Sequence, residues 1–128
     1  MKKLRTILMA KKDAVVFDLN NTLRKKSGEP RQHILNKAHK DQKKEQVIVM
    51  SGETSKDIPE ARAWLNKEGL SKAKLEMRPE GDTEHDNAVK EHLLSDHASR
   101  QFKIKKAYDD KQSNVDMFKK HGIKAKKV

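Results

Sequence analysis

The stretch Asp13-Ala14-Val15-Val16-Phe17-Asp18-Leu19-Asn20-Asn21-Thr22 decides the fold. Its four consecutive apolar residues include β-branched side chains, and turn-forming Asn20 and Asn21 follow. The run predicts a buried strand that ends abruptly in a loop, with the Asp18 carboxylate at its carboxyl end. Ligands of open α/β sheets bind at that edge, so Asp18 is a candidate nucleophile or metal ligand. The alternative is that Asp18 only caps the turn.

The composition predicts one small, highly charged domain. A chain of 128 residues fits a single domain, and its 34% hydrophobic and 38% charged residues predict a small core under an ionic surface. The formal net charge of +11 favours polyanionic partners such as nucleic acids. The alternative is that the charge serves solubility alone.

The lack of cysteine excludes disulfides and thiolate metal sites, and it is consistent with a reducing cytoplasm. No stretch approaches the ~20 apolar residues of a membrane span, so we expect a cytoplasmic protein without a membrane contact. The start, Met1 to Ala10, resembles a signal peptide, but its apolar run is short and contains Arg5. We therefore expect a short strand or a loose leader over residues 1–12.

Strands and helices alternate along the rest of the chain. A helix with a thin apolar stripe is predicted at Gln32–Lys44, and a second buried strand at Gln46–Met50 delivers Ser51 and Gly52 to the edge that carries Asp18. Apolar runs without alternation suit a parallel sheet covered on both faces. The later predicted elements are a helix from Asp57 to Gly69, a strand at Lys74–Met77, a helix after a capping box of Thr83 and Asp86, a strand at Phe102–Tyr108, a helix at Ser113–His121 and an edge strand or tail at Ile123–Val128. Together they predict a single α/β domain over residues 1–128 with a doubly wound, Rossmann-like parallel sheet.

Polar residues follow three of the predicted strands. They are Asp18, Ser51 and the pair Asp109 and Asp110. Carboxylates that converge at one sheet edge form an oxygen-ligand site of the kind that Mg²⁺ takes, with waters and a substrate phosphate as further ligands. A cation is expected, because close carboxylates repel each other and raise each other's pKa. Alternatively, Asp109 and Asp110 only cap the next helix.

Lys90 lies four residues after Asp86 on a predicted helix, so both side chains share one face. Such pairs are commonly surface salt bridges. This helix begins beside the predicted site, which makes a role in binding the alternative. The charged loop at residues 23–31 could also present cations to a substrate.

These motifs resemble those of the haloacid dehalogenase (HAD) superfamily of phosphatases. The matching segments are Phe17–Thr22, Val49–Gly52, Lys90 and Asp109-Asp110. The second half of the chain resembles more closely the 3′-phosphatase domain of the bacteriophage T4 type of polynucleotide kinase-phosphatase, through Glu80–Thr83, Asp86–Glu91 and Asp109-Asp110 with Val115, Met117, Phe118 and Gly122. The similarity runs from about Asp13 to Ala125. Since no kinase half or P-loop is present in the sequence, we expect a free-standing phosphatase module, in the host cytoplasm if a phage encodes it.

The resemblance implies a role for each matching residue. Asp18 would be the nucleophile that forms an aspartyl-phosphate, Ser51 would hold a phosphoryl oxygen, and Lys90, oriented by Asp86, would neutralise it. The implied Mg²⁺ ligands are Asp18, the backbone carbonyl of Asn20, Asp109 and Asp110. The implied substrate-binding residues are Thr22, Gly52 and Arg31.

The sequence departs from the family pattern at four positions. Asn20 replaces an Asp that protonates the leaving alcohol and then activates water, and Asn can do neither. Glu53 and Glu29 stand where the family has arginines, with Arg31, or Lys25 and Lys26, as candidate substitutes. Asn21 replaces a Gly, which Asn can do because it tolerates a left-handed backbone.

Residues 23–45 leave room only for a loop and one helix, so we expect no cap domain and an open site. An open site and a basic surface favour a polymer end, such as a nucleic-acid 3′-phosphate, over a small metabolite. The expected function is a Mg²⁺-dependent phosphomonoesterase of HAD type that removes 3′-phosphates from nucleic-acid ends, with no protein partner inferred. The alternatives are a phosphate or nucleic-acid binding module whose chemistry lapsed with Asn20, and a small-molecule or nucleotide phosphatase.

Overall fold

A sheet of five parallel strands in the order β3-β2-β1-β4-β5 organises the protein, as a computed structural model that describes residues 11–128 shows. The predicted doubly wound α/β fold is confirmed. The prediction for Met1 to Ala10 lies outside the described residues. Lys12 already belongs to the first strand.

The elements alternate along the chain as the pattern predicted. The strands are β1 (Lys12–Asp18), β2 (Gln46–Thr54), β3 (Lys74–Arg78), β4 (Phe102–Asp109) and β5 (Lys124–Lys127). The helices are α1 (Gln32–Asp41), α2 (Ile58–Lys67), α3 (Asp86–Leu93), α4 (Ser99–Gln101) and α5 (Gln112–Lys120). A 3₁₀ turn at Ser55–Asp57 precedes α2, and a π-helical turn at Leu94–Ala98 joins α3 to α4.

The central strand β1 is buried on both faces. Val15 and Phe17 belong to a core cluster that includes Leu35 of α1 and Trp64 of α2. Ala14 and Val16 point the other way, into a second cluster with residues of α3 and α5 such as Val89 and Phe118. Helices on both faces explain why the strand is apolar without alternation. Each large side chain buried there stabilises the fold by about 1.5–3 kcal/mol.

The observed boundaries differ from the predicted ones at a few ends. Helix α1 ends at Asp41 rather than Lys44. The capping box of Thr83 and Asp86 is wrong, because His85 is the N-cap of α3 and no side chain caps that end. The sequence did not predict the π-helical turn. The last segment is an edge strand rather than a tail, since β5 pairs in parallel with β4.

Between β1 and β2 the chain forms only a loop and α1, which agrees with the prediction that no cap domain covers the site. The buried side chains of Leu19 and Leu23 anchor this loop in the core. Trp64 of α2 also donates a hydrogen bond from Nε1 to the Gly28 carbonyl at 2.8 Å. Among residues 11–128, no helix has both the length and the apolar character needed to cross a membrane.

Candidate active site

The carboxyl ends of three adjacent strands form one polar cavity. Asp18 ends β1, Asp109 ends β4, and the β1–β2 register pairs Asp18 with Met50, next to Ser51. Ser51 lies inside β2 rather than after it, because the strand continues to Thr54. The cavity has a volume of about 180 Å³, and its lining residues are Asp18, Asn20, Asn21, Ser51, Gly52, Glu53, Asp86, Lys90, Asp110 and Lys111.

Lys90 is the buried cation of this cavity, with only 2% of its surface exposed. Its Nζ donates hydrogen bonds to Asp18 Oδ1 at 2.6 Å and to Asp109 Oδ2 at 2.8 Å, while Asp86 Oδ2 lies 3.8 Å away. Burial lowers the pKa of Lys90, but attraction to these three carboxylates outweighs it and holds the pKa above its ordinary value. Lys90 is therefore a permanent positive charge in the site rather than half of a surface salt bridge.

The Asp18 carboxylate is fixed at both oxygens. Oδ2 accepts a hydrogen bond from Thr22 Oγ1 at 2.9 Å, and Oδ1 accepts the bond from Lys90. Burial raises the pKa of Asp18, Lys90 opposes the shift, and the Asp109 charge adds to it, with a net rise to about 7. Asp18 is thus preorganised, and a further cation beside it would favour the ionised form.

Three carboxylates form the predicted acidic cluster. Asp18, Asp109 and Asp110 each place one oxygen so that the three atoms lie within 4.8 Å of one another. Asp18 and Asp109 are buried, and Asp110 is half-buried. Oxygen ligands of this charge and spacing suit a hard divalent cation, which would add positive charge to that of Lys90 beside the three carboxylates.

A second set of contacts orients Asp86. Its Oδ2 accepts a hydrogen bond from Nδ2 of Asn114 at 2.9 Å, and a Cβ atom added at Gly52 would collide with its Oδ1. Burial raises the pKa of Asp86, but Lys90, Asn114 and Lys111 together lower it below its ordinary value. Asp86 thus stays ionised and packs directly on Gly52, which leaves no room for a side chain at that position.

Asn114 is a site residue that the sequence analysis missed. It is fully buried in the first turn of α5, and Nδ2 also donates to Asp109 Oδ1 at 3.2 Å. Its Oδ1 has no hydrogen-bond partner among the described residues. The only sequence sign of this role is its position five residues after Asp109, at the start of a helix that follows the acidic pair.

Asn20 is held between two charged side chains. Its Nδ2 donates to Glu53 Oε1, and its Oδ1 accepts from Arg24 Nε at 2.8 Å. Burial raises the pKa of Glu53, Arg24 opposes this, and Asp57 and Glu60 add to it, with a net rise. Glu53 lines the cavity where the family pattern has an arginine, so this wall carries a negative charge in place of a positive one.

Arg24 holds Asn20 and Glu53 in this arrangement through a hydrogen bond to Asn20 and an ion pair with Glu53. The sequence did not predict this role. It is 7% exposed, and its Nη1 and Nη2 donate to the two carboxylate oxygens of Glu60 at 2.8 and 2.9 Å. The guanidinium also lies 5.5 Å from the Trp64 ring centroid. A buried, bidentate Arg fixes the loop after β1, and with it the Asn20 side chain.

The predicted substrate-binding residues lie in different places. Gly52 lines the cavity, whereas Thr22 is buried behind Asp18. Arg31 does not line the cavity: its Nη1 donates to the carbonyls of Asn21 at 2.7 Å and Val128 at 3.1 Å. Contact of these residues with a substrate stays a prediction. Asn21 has φ +66°, the left-handed conformation expected where a Gly is usual.

The alternative substitutes for the family arginines, Lys25 and Lys26, are exposed on the loop after β1, and so is Glu29. Lys25 and Lys26 line a second cavity that shares Asn20 and Glu53 with the first. Lys90 is therefore the buried cation of the first cavity, and Lys25 and Lys26 lie beyond the wall that Glu53 forms.

The family described as the phosphatase domain of polynucleotide kinase PNKP matches residues 6–128. A structure of the Pnkp1/Rnl/Hen1 RNA repair complex and a second structure of the Pnkp1/Rnl/Hen1 complex are similar to the chain over 94% of its length, with TM-scores of 0.84 and 0.81 and 20% and 21% identity. The chain spans only 43% and 47% of those two Pnkp1/Rnl/Hen1 complex chains.

A third similar structure is the core domain of a protein assigned as a phosphoglycolate phosphatase from Streptococcus pneumoniae TIGR4. It has a TM-score of 0.51 and 18% identity, with 91% of this chain and 79% of that one covered. At sequence identities of 18% to 21% the similarity to these structures establishes the fold alone. The match over residues 6–128 establishes that the chain is related to the family.

Proposed function

Because the chain belongs to the family of polynucleotide kinase PNKP phosphatase domains, within the HAD superfamily of phosphatases, we propose that it is a Mg²⁺-dependent phosphomonoesterase that removes 3′-phosphates from nucleic-acid ends. The observation that carries the proposal is the buried Lys90 ammonium between Asp18 and Asp109, at the floor of an open cavity. The absence of cysteine fits action in a reducing cytoplasm.

Asp18 acts as the nucleophile. A carboxylate oxygen attacks phosphorus and a new P–O bond forms. The bond from phosphorus to the 3′ oxygen of the nucleic acid breaks, this oxygen takes a proton from solvent water, and an aspartyl-phosphate is left. Water then attacks this phosphorus and loses a proton to solvent, and the P–O bond to Asp18 breaks, which releases inorganic phosphate and the free carboxylate. The hydrogen bonds from Thr22 and Lys90 hold Asp18 for the attack, so little reorganisation is needed.

Ser51 and Lys90 bind the transferred phosphoryl group and offset its negative charge, and Asp86 keeps Lys90 in place. Asp18, the backbone carbonyl of Asn20, Asp109 and Asp110 would hold Mg²⁺. When bound, the ion supplies positive charge at the phosphoryl oxygens and orients the phosphate. Asn114 holds both Asp86 and Asp109, which links the phosphate-binding and metal-binding halves of the site.

The presence of Asn rather than Asp at position 20 favours a second candidate function, that of a binding module with little turnover. Its amide cannot donate a proton to the leaving 3′ oxygen or take one from water. It is also bound by Glu53 and Arg24 on both sides. The chain would then bind the phosphorylated end and turn it over slowly. A nucleotide phosphatase is the less favoured candidate because residues 11–128 form no cap over the site.

Phosphate release with enzyme in excess over substrate tests the proposal. A 3′-phosphorylated oligonucleotide is compared with its 5′-phosphorylated isomer, with and without Mg²⁺, and Asp18→Asn is the control that removes the nucleophile. The proposal expects slow, Mg²⁺-dependent release from the 3′ isomer that Asp18→Asn abolishes. Tight binding without release supports the binding module, and equal release from both isomers contradicts the 3′ assignment.

A further inference from the structure

Three exposed lysines stand on one uncovered part of the sheet. The register pairs Lys106 of β4 with Lys124 of β5, and Tyr108 with Lys126, so these four residues point to the same side. We call them the basic face. The lysines are exposed, and the four residues border a shallow cavity of about 120 Å³. Neighbouring positions lie about 4.8 Å apart across the strands and about 6.6 Å apart along them.

The basic face lies on the side of the sheet that α1 and α2 cover elsewhere. Phe17 of the first core cluster stacks on Tyr108, with ring centroids 4.9 Å apart. Lys37 of α1 lies 6.0 Å from the Tyr108 ring centroid. Helix α5, which connects β4 to β5, packs on the opposite side through Phe118. Among residues 11–128, no helix therefore buries Lys106, Lys124 or Lys126.

The basic face is continuous with the wall of the active site. Tyr108 is followed directly by Asp109 and Asp110. Arg31 bridges the two regions, because it donates to the carbonyl of Asn21, which lines the cavity, and to that of Val128, which follows β5. A nucleic-acid strand whose 3′ end enters the cavity can therefore pass over Asn21 and reach the lysines of the basic face.

We propose that the basic face binds the single-stranded nucleic acid that leads to the 3′-phosphate, with Lys106, Lys124 and Lys126 at its phosphodiesters. This inference rests on the proposed function and names the part of its substrate beyond the terminal phosphate. Asp41 lies near Lys106 and Lys37, but the set remains positive, and Glu45 pairs with Lys105 at 3.3 Å. A protein partner is disfavoured because lysine is depleted in such interfaces and Tyr108, the aromatic residue of the basic face, is half-buried and already stacked on Phe17.

The experiment compares two charge-matched variants. One carries Lys106→Gln, Lys124→Gln and Lys126→Gln. The control carries Lys119→Gln, Lys120→Gln and Lys127→Gln, which removes three exposed lysines elsewhere on the α5–β5 segment. Exposed substitutions of this kind leave the fold intact. A fluorescent 3′-phosphorylated single-stranded oligonucleotide is titrated with each protein at about 50 mM and about 200 mM salt.

We expect the basic-face variant to bind at least about tenfold more weakly than the control at low salt, with a salt slope smaller by ~2, at about 0.7 for each lost phosphate contact. Equal weakening in both variants would overturn the inference, since it would mean that only the net charge matters. Loss of a dimer in the basic-face variant would also overturn it, because a second copy would then occupy this surface. Phosphate release from the same oligonucleotide separates the two proposals. If binding depends on the basic face but no phosphate is released, the proposed function is contradicted. If phosphate is released but binding does not depend on the basic face, this inference is contradicted.

Discussion

The Nζ atom of Lys90 lies 2.6 Å from Oδ1 of Asp18, across 72 residues of sequence. Asp18 ends the central strand and Lys90 lies on the helix that follows β3. The contact forms because a parallel sheet brings strand ends and helix starts to one edge. Burial makes this pair the most sensitive part of the site, since an ion that loses its partner there cannot be solvated.

Replacement of Lys90 by methionine tests that dependence. Lys90→Met keeps the shape of the side chain but leaves Asp18 and Asp109 without their shared cation, so we expect a loss of about 3–5 kcal/mol in the free energy of unfolding. Urea unfolding of the metal-free protein measures it. The matched control, exposed Lys119→Met, should change stability by less than about 0.5 kcal/mol. Similar values for the two variants would show that Lys90 does not compensate the carboxylates.

The pH dependence of stability follows from Asp18. Its pKa in the folded protein, about 7, is above the ordinary value of 3.8, so the folded state binds the proton more tightly than the unfolded state. Its contribution to stability is therefore greatest below pH 3.8 and is lost as pH rises towards 7. We expect Asp18→Asn to be more stabilising, relative to the parent, at about pH 8 than at about pH 5 in metal-free buffer.

Urea unfolding at both pH values with EDTA measures this difference. Added Mg²⁺ should stabilise the parent at the higher pH and have less effect on Asp18→Asn. A difference between parent and variant that does not change with pH would mean that Asp18 is already ionised in the folded, metal-free protein.

The third prediction concerns Asp110. It belongs to the acidic cluster and is only half-buried, whereas Asp109 accepts hydrogen bonds from Lys90 and Asn114. We expect Asp110→Asn to weaken Mg²⁺ binding by at least about tenfold while stability changes by less than about 1 kcal/mol. Calorimetric titration with Mg²⁺ and thermal unfolding give the two values. Exposed Asp116→Asn is the control, and equal Mg²⁺ affinity in both variants would place the ion elsewhere.

The contact of Gly52 with Asp86 gives a fourth prediction. A methyl group at Gly52 displaces the Asp86 carboxylate, so Gly52→Ala should destabilise the protein by roughly 1–3 kcal/mol. The same change in an Asp86→Ala background should cost much less, because the obstructing atom is gone. A double-mutant cycle by urea unfolding measures the coupling. Additive effects would mean that Gly52 is required for another reason.

The sequence was sufficient to predict the strands and the acids at their ends, because apolar runs and the residues after them are local patterns. Local spacing placed Lys90 and Asp86 on one helix face and favoured a surface salt bridge, whereas the expectation that Lys90 belongs to the site came from the resemblance to HAD phosphatases. Arg24 could not be identified in this way, since its partner Glu60 is 36 residues away. Asn114 was missed because a polar residue that faces inward from a helix looks like any other polar residue until the helix is placed against Asp109.

The most informative change is Asn20→Asp. It introduces a carboxyl group that can protonate the leaving 3′ oxygen and then accept a proton from water, and such a group contributes about 10²–10⁴-fold in rate. The new carboxyl would lie beside Glu53, which now accepts the Asn20 amide hydrogen bond. Glu53 beside the new carboxyl favours the protonated form that the first step needs, and Arg24 Nε, which now donates to Asn20 Oδ1, favours the ionised form that the second step needs.

We therefore expect Asn20→Asp to release phosphate from a 3′-phosphorylated oligonucleotide about 10²–10⁴-fold faster than the parent in the presence of Mg²⁺. Asp18→Asn in the Asn20→Asp background is the control, and it should abolish the gain because the nucleophile is lost. The double variant with Glu53→Gln tests the wall beside it: since Gln can donate to the new carboxylate and carries no charge, the pH optimum should shift to lower values while the gain persists. A rate unchanged by Asn20→Asp would mean that the Glu53 wall, and not the missing acid alone, limits turnover, and the binding module would then describe this chain better than the phosphatase does.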